Sequence, residues 1–142
     1  MNNLSFHITD ITANSIRANA SEIGLSVEEQ DTRIVIRITD NGLGMDAETA
    51  RRVTNPFYTT RTTRKVGLGL PFLIQNAEQT GGSVTLTSEP GKGTEVRAVF
   101  HSDHIDCPPW GDLPGTVALL ITGNPEINVC FEYRSGETGY SI

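Results

Sequence analysis

The run GLPFLIQNAEQTGGSVTLTSEPGKGTEVRAVF, Gly69 to Phe100, limits the folds open to this chain more than any other stretch. Leu70, Leu73, Ile74 and Ala77 form an i, i+3, i+4, i+7 stripe, Pro71 suits a first helical turn and Gly81-Gly82 supplies a stop, so this stretch is expected to be a helix. SVTLTS and TEVRAVF then alternate as strands around EPGKG, which holds the proline and glycines a hairpin connection wants. A helix with one apolar stripe followed by a hairpin with one apolar face buries both by packing one on the other.

The residues before Gly69 repeat this logic. Leu4, Ile8, Ile11, Ser15 and Ala18 recur at helical spacing, predicting a first helix from Leu4 to Ala20 with Asp10, Asn14 and Arg17 on other parts of its surface. EIGLSVEE and TRIVIRITD read as an antiparallel strand pair, Ile34, Ile36 and Ile38 pointing one way and Arg33, Arg37 and Thr39 the other. MDAETARRV suggests a short helix capped by Asp46 and ended by Pro56, with a loop after it. The fold class expected is α+β, a two-layer α/β sandwich with helices on one face of a mainly antiparallel, mixed sheet.

At 142 residues one domain is expected. Past Phe100, CPPWGDLPG reads as a connector, TVALLITG as a short apolar helix or strand, and EINVCFEYR as a strand. Residues 101–142 are therefore expected as an extension packed on the domain formed by residues 1–100, finishing its sheet or covering its face.

The net charge of −6 and pI near 4.9 give no broad electrostatic footprint for nucleic acid, while leaving room for a local anion site. The imbalance lies in the tail: residues 1–100 carry 10 Lys and Arg against 11 Asp and Glu, residues 101–142 one Arg against 6 acids. No apolar run is long enough to span a bilayer and MNNLSFHITD lacks the features of a signal peptide, so a cytoplasmic protein without a membrane partner is expected, its Cys107 and Cys130 as reduced thiols. His101, His104 and Cys107 in HSDHIDC, with Cys130, invite a zinc reading. Without paired knuckles, and with side chains alternating along an emerging strand, this segment is better read as connector.

Chemistry gathers elsewhere. Asp10 and Asn14 are four apart and so share a helix face, where the amide oxygen can serve magnesium and the carboxylate can orient or deprotonate a water or hydroxyl. A solvated helix face shows such pairs too. DNGLGM, Asp40 to Met45, ends a strand and is both a turn signal and a place where a carboxylate can accept from an amino group. GLGL, Gly67 to Leu70, opens a helix whose free amides and dipole can hold phosphate oxygens. Just before it, FYTTRTTRKV forms a small basic patch in an acidic chain.

The order D-x-x-x-N, DNGLGM, NPFYTTR, GLGL, GKGTEV resembles the Bergerat-fold ATPases, the group of gyrase, the MutL repair proteins, histidine kinases and anti-sigma factor kinases, from about Leu4 to Phe100. The resemblance implies ATP and Mg²⁺ as ligands, with Asn14 on the metal and Asp10 as the catalytic acid that polarises the attacking group. Asp40 would accept from the adenine amino group with Thr94 near it, and Gly42, Gly44 and Met45 would shape the adenine pocket. Gly67, Leu68, Gly69 and Leu70 would line the triphosphate, and Thr60 with Arg61, Arg64 or Lys65 would meet the terminal phosphate from a short lid. The chain departs from the family in having Asp rather than the Glu usual in hydrolytic branches, and only the five residues TTRKV between NPFYTTR and GLGL.

The likeness is strongest to the ATP-binding domain of histidine kinases. No helical segment with a phosphoacceptor histidine precedes residue 1, and His7 reads as structural, so a stand-alone Mg-ATP module acting on a partner protein in trans is expected. The alternatives are a non-catalytic ATP-sensing regulatory subunit and a serine kinase of the anti-sigma-factor type. A gyrase-like or MutL-like role lacks the transducer domain that supplies their catalytic lysine.

Overall fold

The structure, a computed structural model, describes residues 3–46, 48, 69–135 and 138–141. Among them the order is α1 (Leu4–Arg17), β1 (Glu22–Gln30), β2 (Arg33–Asp40), α2 (Gly69–Gln79), β3 (Ser83–Glu89), β4 (Gly93–His101), α3 (Leu113–Gly123), β5 (Asn128–Ser135) and β6 (Thr138–Ser141). The expected MDAETARRV helix and the basic stretch before GLGL lie outside the described residues, save Met45, Asp46 and Glu48.

The strands form one six-stranded sheet in the order β3-β4-β2-β1-β5-β6. Every pairing is antiparallel except β1 with β5, so the sheet is mixed and mainly antiparallel, as expected. Ile23, Leu25 and Val27 of β1, Ile34, Ile36 and Ile38 of β2, and Val96, Ala98 and Phe100 of β4 are buried, joining Leu4, Ile8 and Ile11 of α1 and Leu73 and Ala77 of α2 in one core. Arg33, Arg37 and Arg97 occupy the alternate, exposed positions, as a period of two requires.

Two helix ends are set by the same device. In α2, Gly81 adopts φ 84°, its N–H bonds to the Glu78 carbonyl at 3.0 Å and the Gly82 N–H to the Ala77 carbonyl at 3.0 Å. In α1 that position is taken by Asn19 at φ 62°, with Asn19 N–H on the Ile16 carbonyl at 3.0 Å and Ala20 N–H on the Ser15 carbonyl at 3.2 Å. The helix therefore stops at Arg17, three residues short of the Ala20 end its apolar spacing suggests. Asparagine reaches the left-handed region because its short polar side chain tolerates it.

His7 of α1 is 1 % exposed, its ring tilted against those of Phe6 and Phe100, and Asn76 Nδ2 of α2 donates to its Nε2 at 2.8 Å. This ties the two helices through the core rather than offering a histidine to solvent.

Among the described residues, those past His101 add one more helix and two strands. Asp112 caps α3 by accepting from the Gly115 N–H at 3.1 Å, and Pro114 falls in its first turn. Leu113 to Gly115 thus belong to this helix, not to the connector that CPPWGDLPG suggests. Leu113, Val117 and Leu120 turn inward and α3 packs on α1 and β5. The whole of β5 pairs with β1, from Glu22↔Asn128 to Glu29↔Ser135, and the Tyr133 hydroxyl donates to Glu29 Oε1 at 2.7 Å.

Candidate nucleotide site

The C-terminal half of α1 and the end of β2 meet through one hydrogen bond. Ser15 Oγ, 2 % exposed, donates to Asp40 Oδ2 at 2.6 Å, and the Gly42 N–H donates to Asp40 Oδ1 at 2.9 Å. Each carboxylate oxygen is thereby oriented by one donor and keeps lone-pair capacity for a ligand amino group. Thr94 of β4 stands directly across from Asp40 in the sheet.

The loop after Asp40 is held from three sides. Asn41 Oδ1 accepts from the Ser21 and Glu22 N–H groups, both at 2.9 Å, while Asn41 Nδ2 donates to Ser21 Oγ at 2.9 Å. Leu43 N–H bonds to the Ala18 carbonyl at 2.9 Å and Gly91 N–H to the Leu43 carbonyl at 2.7 Å. Met45 N–H donates to Ser88 Oγ at 2.8 Å; Ser88 Oγ lies 2.8 Å from Thr94 Oγ1 and 3.0 Å from the Gly93 carbonyl. One hydroxyl thus joins the DNGLGM loop to Thr94.

Backbone proximity makes two glycines obligatory here. A Cβ on Gly44, at φ 72°, would stand 1.9 Å from the Glu89 carbonyl oxygen. One on Gly93, at φ 118°, would stand 2.0 Å from the Asp40 carbonyl oxygen. The DNGLGM and GKGTEV segments are thus pressed together, backbone on backbone.

On α1, Asp10 and Asn14 are half-buried, and Arg17 donates to Asn14 Oδ1. Burial pushes the Asp10 carboxyl above its ordinary value and the Arg17 guanidinium pulls it back down. Asn14 precedes Ser15, so the amide that would serve a metal is one residue from the hydroxyl that fixes Asp40. An amide oxygen beside a half-buried carboxylate is a donor set that fits Mg²⁺, which takes one or two protein oxygens and completes its shell with phosphates and water. The fit requires Arg17 to yield the Asn14 oxygen to the metal.

α2 starts at Gly69, so the amides of Gly69 and Leu70 fall in its first turn, where N–H groups lack intrahelical partners. Thr60, Arg61, Arg64, Lys65, Gly67 and Leu68 lie outside the described residues. Asp40, Gly42, Gly44, Met45 and Thr94 are drawn into one hydrogen-bonded corner, and Asp10 and Asn14 share a face of the helix that Ser15 pins to it.

Motif reading gives no site role to Ser15, Arg17, Asn41 or Ser88. Arg17, three residues after Asn14, had a readable helical spacing. Ser88 had none, because the loop amide it accepts from, that of Met45, lies 43 residues away in the sequence.

Residues 3–104 match the family model described as histidine kinase-, DNA gyrase B-, and HSP90-like ATPase. The sensor histidine kinase YxdK of Bacillus subtilis (strain 168) is 29 % identical over 104 residues, covering 68 % of this chain and 32 % of that protein. Sporulation kinase E of the same organism is 40 % identical over 73 residues, covering 51 % of this chain and 9 % of that protein. The chain thus spans a third or less of these curated relatives. A solved structure, the N-terminal domain of a DNA repair protein, superposes with a TM-score of 0.62 at 18 % identity, covering 100 % of this chain and 52 % of that one, and shares the fold. With 102 consecutive residues under one family model and the expected sandwich beneath them, the chain belongs to the histidine kinase-, DNA gyrase B- and HSP90-like ATPases.

Proposed function

We propose that this chain is a Mg-ATP-binding module of the histidine-kinase-like branch that phosphorylates or regulates a partner protein in trans, in the cytoplasm. Residues 1–100 would bind the nucleotide, and residues 101–142 belong to the same domain. The observation that carries the reading is Asp40, oriented by Ser15 Oγ and the Gly42 N–H so that a carboxylate at a strand end is set to accept from adenine. Met45, Gly42 and Gly44 shape the wall beside it, with Thr94 opposite.

The chemistry of the family supplies the remaining roles. Asn14 would hold Mg²⁺, which neutralises phosphate charge when bound. Asp10, with its raised pKa, would take or orient a proton on the attacking group, since a carboxyl nearer the working pH is the better base. Gly67, Leu68, Gly69 and Leu70 would approach the phosphates, and Thr60, Arg61, Arg64 or Lys65 would meet the terminal one. The sensor and sporulation kinases to which the chain is similar favour protein phosphorylation over a gyrase-like role.

Calorimetric titration of the chain with ATP and ADP, with and without Mg²⁺, tests the reading. Magnesium-dependent binding lost in Asp40→Asn is the expected result, and no binding of either nucleotide would overturn it. Transfer of the γ-phosphoryl group to a candidate partner, abolished by Asn14→Ala, tests catalysis. One observation favours the non-catalytic sensor instead: Arg17 engages the Asn14 oxygen. That reading expects tight binding with no transfer and an Asp10→Asn variant that regulates its partner normally.

A further inference from the structure

We infer that the segment beyond the family match positions the nucleotide site, clasping the helix that carries Asp10 and Asn14 at one end and the Asp40–Asn41 corner at the other. This rests on the nucleotide reading above. The family match ends at residue 104, yet the first turn of α1 is capped from beyond it. Leu4 N–H donates to the Pro109 carbonyl at 2.8 Å and Ser5 N–H to the Trp110 carbonyl at 3.0 Å. Ser5 Oγ, on a residue 4 % exposed, donates to the same Trp110 carbonyl at 2.6 Å. Asn3 completes the cap, its Oδ1 accepting from the Phe6 N–H at 2.6 Å, and its carbonyl accepts the first bond of the helix from the His7 N–H at 3.3 Å. The amides of Leu4, Ser5 and Phe6, which have no partner within the helix, are all satisfied, two of them by the extension.

The second anchor lies at the start of β5. Asn128 N–H donates to the Ser21 carbonyl at 2.8 Å, and the Ser21 and Glu22 N–H groups are those held by Asn41 Oδ1. Asn41 follows Asp40 directly. Between the anchors the extension is itself ordered by the Asp112 cap and by α3 packed on α1. Gly111 touches Asn3 so closely that a Cβ on it would lie 2.6 Å from Asn3 Cγ, so the clasp leaves little slack.

α1 can transmit what happens at its start. Ser5 and Asn14 are nine residues apart on one unbroken helix, roughly 14 Å at 1.5 Å per residue. Axial or tilting displacement at the clasp therefore moves Asp10, Asn14 and Ser15 relative to Asp40. Linkage makes the effect reciprocal: if the clasp supports nucleotide affinity, bound nucleotide must tighten the clasp.

The test uses the whole chain and MgATP, with amide hydrogen exchange at Leu4 and Ser5 and emission from Trp110, the sole tryptophan. Slower exchange at both amides and a change in emission on saturation are expected in the wild type. Ser5→Ala is expected to bind MgATP about threefold more weakly, the scale of one lost hydrogen bond, and to lose the slowing. A role limited to stability would lower the thermal midpoint and leave affinity alone. If the wild type binds MgATP with unchanged exchange, or Ser5→Ala binds as the wild type does, the inference is overturned while the nucleotide reading stands. Failure of the wild type to bind MgATP overturns both. Should Ser5→Ala not fold, the exchange result on the wild type decides alone.

Discussion

Ser15 Oγ donates to Asp40 Oδ2 at 2.6 Å, so a hydroxyl of the helix carrying Asn14 holds the carboxylate at the end of the neighbouring strand at the edge of the core. Ser15→Ala would leave this oxygen of Asp40 without that donor. A hydrogen bond to a charged group is worth about 1.5–3 kcal/mol, and solvent or ligand recovers part of that here. The expected result is a loss of about 1 kcal/mol in urea unfolding and several-fold weaker binding of MgATP by titration. An unchanged affinity would mean that Asp40 needs no orientation from α1.

His7 gives the fold a pH dependence of known sign. Burial lowers its pKa to about 4 from 6.5, so the unfolded chain binds the proton more readily than the native one. Its contribution to stability is full above pH 6.5 and is lost as pH falls towards 4. The span is worth at most about 3 kcal/mol at 1.36 kcal/mol per pH unit. Urea midpoints taken across that window are expected to fall on acidification, with a flatter profile in His7→Gln.

How much of this was legible in the sequence follows from where each signal resides. The α2–β3–β4 unit was readable because its stripe, its Gly81-Gly82 stop and its period-two strands are local. That Asp40 and the DNGLGM glycines stand together at a strand end was also readable, because they are adjacent in one box. Ser15, by contrast, reads as a small core position from its spacing, and nothing local says that its hydroxyl points at a carboxylate 25 residues on. Trp110 lies in a Pro/Gly-rich stretch that looks like a connector, and its carbonyl meets Ser5 from 105 residues away. Backbone acceptors carry no signature in the sequence, so such closures appear only in the fold. The α3 start was missed for a related reason: Pro114 and Gly115 look like loop residues until Asp112 is seen to cap them.

Asp10 has the opposite pH sense from His7. Its folded pKa is raised by burial, against the pull of Arg17, so ionisation opposes the native state and its contribution declines as pH rises through the folded pKa. Asp10→Asn is therefore expected to hold or raise the thermal midpoint at neutral pH, keep MgATP affinity and abolish phosphoryl transfer. Arg17→Met removes the opposing charge and should raise the Asp10 pKa further, read from the carboxyl carbon shift in an NMR titration. A lower Asp10 pKa in that variant would reverse the assignment of Arg17.

Gly44 and Gly91 allow a controlled comparison of backbone strain with steric conflict. Both have positive φ, 72° and 79°, but a Cβ on Gly44 would stand 1.9 Å from the Glu89 carbonyl oxygen while one on Gly91 meets nothing within 4 Å. Gly91→Ala pays only for the left-handed conformation, about 1 kcal/mol. Gly44→Ala adds displacement of a backbone carbonyl and is expected to cost more than about 3 kcal/mol, within the range of severe substitutions. It should also disturb the Met45–Ser88–Thr94 link, so nucleotide binding falls with stability in Gly44→Ala and survives in Gly91→Ala. Thermal midpoints and MgATP titrations on the two variants check this. Equal losses in both would show that the loop moves freely from β3, and that its close approach to Glu89 does not shape the site.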